Sequence, residues 1–125
     1  MIRNLRAGKP PVIFGDGSQT RDFVYVLDVV DAFMKAMESK QCCGEINIGS
    51  GKETSINELA EILMEKFNLK NIKPVYMEPR AGDVKRSWAN IEKAKHCLGY
   101  QPKSPLHDGL NALLKTHAVY SSRLF

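Results

Sequence analysis

Val12-Ile13-Phe14-Gly15-Asp16-Gly17-Ser18-Gln19-Thr20-Arg21-Asp22-Phe23-Val24-Tyr25-Val26 is the stretch whose reading decides the fold. It reads as a strand, a tight turn and a second strand. Pro11 and the apolar run Val12, Ile13, Phe14 lead into it. Asp16-Gly17 is a two-residue hairpin signal, because such a turn needs positive φ and glycine adopts it without steric cost. Residues 23–26 are aromatic and β-branched, which suits a half-buried pleated surface. Arg21 stands where the turn hands over to the second arm. A guanidinium held there by stiff backbone can grip an anion with two parallel hydrogen bonds. It can equally be an exposed strand arginine in a surface ion pair.

Upstream, Ile2 and Leu5 share a face of a helix tail over residues 2–7, and Gly8 stops it. A helix cut off at residue 1 points to a sequence that starts inside a larger fold. Downstream, Asp28 is the expected N-cap of a helix running to residue 38, with Asp31 in its first turn. Val29, Val30, Phe33, Met34 and Met37 cover so much of that helix that burial on two sides is expected. Residues 45–48 read as a strand. Ser55-Ile56-Asn57-Glu58 is a capping box opening a strongly amphipathic helix carrying Leu59, Ala60, Leu63, Met64 and Phe67. Residues 72–77 form a strand that Pro74 and Pro79 confine to an edge. Asn90 caps a helix over 91–98, which Gly99 ends in the left-handed conformation. Ser104 and Pro105 take the N-cap and first position of the last helix. The fold class is therefore α/β: a small mixed sheet with a hairpin and about four helices. No internal boundary interrupts residues 1–125, which are read as one domain.

With 125 residues, 43% hydrophobic and 26% charged, the chain has an ordinary globular composition. Its net charge of +4 is too weak to argue for nucleic acid, yet it suits an anionic small ligand if the excess converges on one pocket. No apolar run approaches the ~20 residues of a membrane span, and the N-terminus lacks the apolar core of a signal peptide. Cys42, Cys43 and Cys97 match neither a disulfide framework nor a zinc site, so a reducing cytoplasm is expected. His96, His107 and His117 have no carboxylate or cysteine at ligand spacing. Gly49-Ser50-Gly51-Lys52 imitates two phosphate motifs and satisfies neither. A P-loop needs Ser or Thr where Glu53 stands, and the dinucleotide fingerprint needs glycine where Thr54 stands. It is read as a glycine turn into a capped helix.

Residues 15–26 resemble the extended short-chain dehydrogenases, the NAD-dependent nucleotide-sugar epimerases and dehydratases. Three later segments agree in order and spacing: Asn47-Ile48-Gly49-Ser50-Gly51, then Pro79-Arg80-Ala81-Gly82-Asp83-Val84, then Ala94-Lys95 with Leu98-Gly99-Tyr100-Gln101-Pro102. The similarity runs over residues 4–116 and leans toward UDP-glucose and UDP-N-acetylglucosamine 4-epimerases. It implies that Arg21 and Arg80 clamp the nucleotide diphosphate and that Asp83 accepts from the ribose hydroxyls. It further implies that the strand of Val12, Ile13 and Phe14 lies along the uracil, and that Ser87 faces the sugar. Ser87 is small, so room for an N-acetyl group is expected. The plain structural alternative stays open: Arg80 and Asp83 pair across their turn, and Arg21 and Asp22 serve surface ion pairs.

The resemblance places the chemistry in a preceding Rossmann half with a glycine-rich NAD loop and a Tyr-x-x-x-Lys pair. Four residues after Tyr25, Tyr76, Tyr100 and Tyr120 come Val29, Arg80, Ser104 and Leu124, so the pair is absent here. Pro79 also prevents the helical turn that would stack Tyr76 on Arg80. The expectation is a carboxyl-terminal, substrate-gripping part that is not catalytic alone, with NAD bound by the missing half. The chain would be either a cut piece or a truncated frame. Three readings stand: a UDP-sugar-binding part, a non-enzymatic module that oligomerises through orphaned faces, and a basic nucleic-acid binder. A homo-oligomer or a companion Rossmann half is the expected protein partner, with no membrane association.

Overall fold

The computed structural model describes residues 1–40, 44–69 and 71–121. Cys42 and Cys43 lie outside the described residues. The chain forms two compact units, Met1–Asp22 with Lys52–Trp88, and Phe23–Gly51 with Ala89–Phe125.

In the first unit, helix α1 (Ile2–Arg6) ends at Gly8, whose φ of +66° only glycine takes readily. Pro10 and Pro11 then carry the chain into strand β1 (Val12–Phe14). The hairpin does not form. β1 pairs in parallel with β4 (Val75–Met77), with Ile13 opposite Tyr76, whereas β2 (Thr20–Arg21) pairs antiparallel with β3 (Thr54–Ser55). The turn itself is present, with positive φ at Gly15 and Gly17. The Phe14 carbonyl, which a hairpin ladder would use, instead accepts from the Gln19 side-chain amide at 2.7 Å. Helix α3 (Ile56–Lys66) follows β3 directly, and Ser55 Oγ accepts from the Glu58 N–H at 3.0 Å, as the capping-box reading requires. Ala60, Leu63 and Met64 form its buried face and, with Leu5, Pro11 and Ile13, make up the core of this unit. That spacing is one stripe of a 3.6-residue helix.

In the second unit, helix α2 (Val26–Glu38) begins three residues earlier than an N-cap at Asp28 would place it. Residues 23–25 are not a strand; they run extended into the helix, and Tyr25 occupies the N-cap. Asp28 therefore does not cap its own helix. It is buried at 5% exposure and accepts the backbone N–H groups of Lys103 and Ser104, pinning the entry to helix α5 (Leu106–Ser121). The first α5 hydrogen bonds go to the carbonyl of Pro105, one residue later than the expected cap at Ser104. Gly109 is needed where α5 meets Tyr25, since a Cβ there would lie 3.2 Å from the ring. Helix α4 (Glu92–Leu98) has Asn90 accepting from the Glu92 N–H at 3.0 Å and Gly99 in the left-handed conformation. Ala32, Ile91, Ala94 and Tyr100 form the core, and the Tyr100 hydroxyl donates to the Gly49 carbonyl at 2.8 Å.

Two further expectations fail in this unit. Residues 45–48 have no ladder partner among the described residues and are not a strand, although Ile46 and Ile48 pack on the core. The α2 helix is not buried on two sides. Val30, Phe33, Met34 and Met37 are exposed, and only Asp28 and Ala32 of the helix are buried. The α/β class holds, with five helices and two small strand pairs among the described residues. No described helix is long and apolar enough to cross a membrane.

Candidate functional site

The parallel β1–β4 pair sets two loops side by side. The turn after β1 and the arm after β4 enclose an open cleft of about 600 Å³. Its walls come from Phe14 to Gln19 on one side and Tyr76 to Lys85 on the other. The turn is rigid for local reasons. Asp16 Oδ1 accepts from both the backbone N–H and the hydroxyl of Ser18, at 2.9 and 2.7 Å. Those bonds lower its pKa, the hydroxyl first. Asn57, at the start of α3, donates its side-chain amide to the Asp16 carbonyl at 2.9 Å and its backbone N–H to the Gly17 carbonyl at 3.0 Å. Asn57 Oδ1 accepts from the Tyr76 hydroxyl at 3.1 Å, which ties the two walls together.

Arg80 and Asp83, 59 and 62 residues beyond Arg21 in sequence, lie in this cleft with Phe14. The Arg80 guanidinium stacks over the Phe14 ring at 4.0 Å and has no carboxylate partner among the described residues. A stacked, exposed guanidinium keeps its N–H edge available for an anion. Asp83 pairs with Arg21 rather than with Arg80, and Gln19 adds a longer contact at 3.4 Å. Arg21 stands behind Asp83 and outside the cleft wall. Its other bonds run to the carbonyls of Thr20 and Val84, at 2.7 and 2.6 Å. Three of the five N–H groups a guanidinium carries are thus engaged with Asp83, Val84 and its own strand.

The remaining predicted residues are not brought to the cleft. Val12 and Ile13 lie outside its wall, with Ile13 buried at 1% exposure in the core. Ser87 is exposed farther along the arm, also outside the wall. Sequence reasoning passed over Gln19, Asn57 and Lys85. Gln19 and Asn57 act on backbone carbonyls, which leave no spacing signal. Lys85 lines the cleft with Arg80, but one lysine in a basic chain draws no attention.

The arm is fixed by polar contacts alone. Every residue from 78 to 88 is exposed. Thr20 donates its N–H to the Lys85 carbonyl at 2.8 Å. Glu53 accepts from Arg86 Nε at 3.0 Å and from the Thr20 hydroxyl at 2.6 Å, and pairs a second time with Arg86 through its other oxygen. The Arg86 bond, and then the Thr20 bond, hold the Glu53 carboxyl down to about 2. A carboxyl depressed in the folded state contributes stability above its unfolded value, lost only as pH falls through its folded one. The contact is therefore charged at neutral pH.

The glycine turn that imitates the dinucleotide fingerprint is used for packing. The Gly49–Gly51 turn packs inward: a Cβ on Gly51 would lie 3.0 Å from Ile91 Cδ1, and the Gly49 carbonyl is taken by Tyr100. Gly51 therefore serves close packing against Ile91.

A family model described as GDP-mannose 4,6 dehydratase matches residues 1–113. The chain belongs to this family. The UDP-glucose 4-epimerase of Mycolicibacterium smegmatis is 41% identical over 106 residues, covering 85% of this chain and 34% of the relative. The crystal structure of the Thermotoga maritima UDP-glucose 4-epimerase with UDP-glucose is similar at a TM-score of 0.77 and 45% identity, covering 87% of this chain and 34% of that one. The Bacillus cereus UDP-glucuronic acid 4-epimerase, in complex with UDP-glucuronic acid and NAD, is similar at 0.81 and 38% identity, covering 89% and 36%. The chain spans about a third of the length of these relatives.

Proposed function

We propose that this chain is the carboxyl-terminal, substrate-gripping part of an NAD-dependent nucleotide-sugar 4-epimerase and binds the nucleotide diphosphate of a UDP-sugar in the cleft between the β1 turn and the arm. One observation carries the reading: Arg80, a guanidinium without a carboxylate partner among the described residues, lines the same cavity as a hydroxyl acceptor, Asp83. The cleft has no large excess of charge, since Arg80 and Lys85 stand beside Asp16, Glu78 and Asp83, with Arg21 behind. Affinity for a diphosphate therefore comes from the aim of Arg80, not from a broad positive field. The N–H groups of Arg21 that the arm leaves unused make it the second clamp. Phe14 and Gly15 border the base, and Ser87 belongs to the sugar end. NAD and the acid–base pair belong to a companion half, and no step of the reaction is assigned to this chain.

Titration calorimetry of the 125-residue chain with UDP, UDP-glucose, UDP-N-acetylglucosamine and a single-stranded oligonucleotide tests the reading. Saturable binding of UDP is expected, with UDP-N-acetylglucosamine no weaker than UDP-glucose and no oligonucleotide binding. Failure of UDP to bind at millimolar concentration overturns it.

The reading as a self-associating module rests on a different observation. Val26, Leu27, Val30, Phe33, Met34 and Met37 leave one face of α2 apolar and between 47% and 73% exposed. A companion half would cover that face in a complete enzyme; a second copy covers it in the chain alone. Light scattering is expected to show a mass that rises with concentration and drops in a Phe33→Glu, Met37→Lys variant. A wild-type mass fixed at the monomer value excludes the module.

A further inference from the structure

The residue that spoils the P-loop reading has a different use. Glu53 lies just before β3, and its carboxylate reaches two elements of the same unit. It takes the Arg86 guanidinium from the arm and the Thr20 hydroxyl from β2. Thr20 in turn holds the arm through the Lys85 carbonyl, and its own carbonyl accepts from Arg21. Glu53, Arg86, Lys85 and Thr20 thus close a ring of contacts. The ring sits at the far end of the arm from the β4 ladder, while Arg80 and Asp83 lie between the two. Arg86 is further stacked 5.0 Å from the Trp88 ring, which restrains the guanidinium that Glu53 grips.

We propose that Glu53 is a positioning residue for the nucleotide-diphosphate site, fixing through Arg86 and Thr20 the arm that carries Arg80 and Asp83. The inference rests on the reading of the cleft given above and deepens it. An ordinary surface ion pair contributes little to stability and nothing to a ligand it does not touch. Here the arm has no buried side chain to hold it, so its aim depends on its polar anchors. A ligand group displaced by about 1 Å loses most of a directional hydrogen bond.

Two measurements on the full chain separate this role from a bland one. First, Glu53→Gln is expected to weaken UDP about tenfold while leaving the melting temperature within a few degrees of wild type. Glu53→Asp is expected to restore part of the affinity, and Arg86→Ala to add little on top of Glu53→Gln, because the two residues act as one contact. Second, Glu53→Gln is expected to speed tryptic cleavage after Arg80 and Lys85 several-fold, since a loosened arm fits a protease better. Wild-type UDP affinity in Glu53→Gln overturns the proposal. So does an unchanged cleavage rate. The proteolysis needs no ligand, so if wild type fails to bind UDP, the functional reading falls while the arm measurement still decides whether Glu53 anchors it.

Discussion

Arg80→Ala is expected to weaken UDP binding about 10–100-fold and to leave the fold intact. The Arg80 side chain stacks on the Phe14 ring at 4.0 Å, is itself exposed, and has no ion pair among the described residues. Losing a cation–π contact of this kind costs about 0.5–1 kcal/mol, a small part of a domain's stability. A charge-assisted hydrogen bond to a phosphate contributes about 1.5–3 kcal/mol, which corresponds to the stated fold-change. Calorimetry reads the affinity and a thermal melt reads the stability, so the two effects are measured separately. Arg80→Lys is expected to fall between them, because it keeps the charge and loses the planar fork. Affinity within twofold of wild type in Arg80→Ala removes Arg80 from the site. Arg21→Ala is a less clean test, since Arg21 also braces Asp83 and the Val84 carbonyl.

Gly17→Ala is expected to cost about 2–4 kcal/mol of stability, through one methyl group added to the turn after β1. Gly17 is buried with φ of +76°, and a Cβ there would lie 2.0 Å from Asn57 Oδ1. The backbone term alone is about 1 kcal/mol. The contact then forces the Asn57 amide away from the Asp16 carbonyl and the Tyr76 hydroxyl, two hydrogen bonds of about 1 kcal/mol each. Denaturant unfolding checks the sum. The double variant Gly17→Ala, Asn57→Ala supplies the control: with the clashing amide gone, it is expected to be less destabilised than the two single changes added together. A Gly17→Ala midpoint equal to wild type would mean that the turn does not need a glycine.

What the sequence disclosed follows the range of the interaction. The Ser55 cap and the left-handed Gly99 are settled within four residues of themselves, and both are where the pattern puts them; Asn90 accepts from the Glu92 N–H, but Ile91 rather than Asn90 holds the N-cap of α4. Asp28 looks like a cap by the same local rule, yet its partners stand 75 and 76 residues away. The hairpin signal fails for the same reason. Asp16-Gly17 does turn the chain, but turn chemistry says nothing of β4, some 60 residues downstream, which outcompetes β2 for β1. Within the cleft, Phe14, Arg80 and Asp83 were legible through the family resemblance. The bracing role of Arg21 was not, because a guanidinium aimed at a ligand and one aimed at a carbonyl leave the same letter in the sequence. Nor was the exposed flank of α2, since an apolar stripe does not name what covers it.

The β1–β4 pair also works as a vernier between two materials. Ile13 is a hydrocarbon side chain with nowhere to go but the interior, and it lies opposite Tyr76. Slipping that match by one residue would swap inward and outward side chains along β1. It would also carry the Gly15–Gln19 turn about 3.3 Å past Arg80. The aim of the charged groups is therefore calibrated by oil: a greasy peg, buried outside the cleft wall, sets where the polar fingers stand.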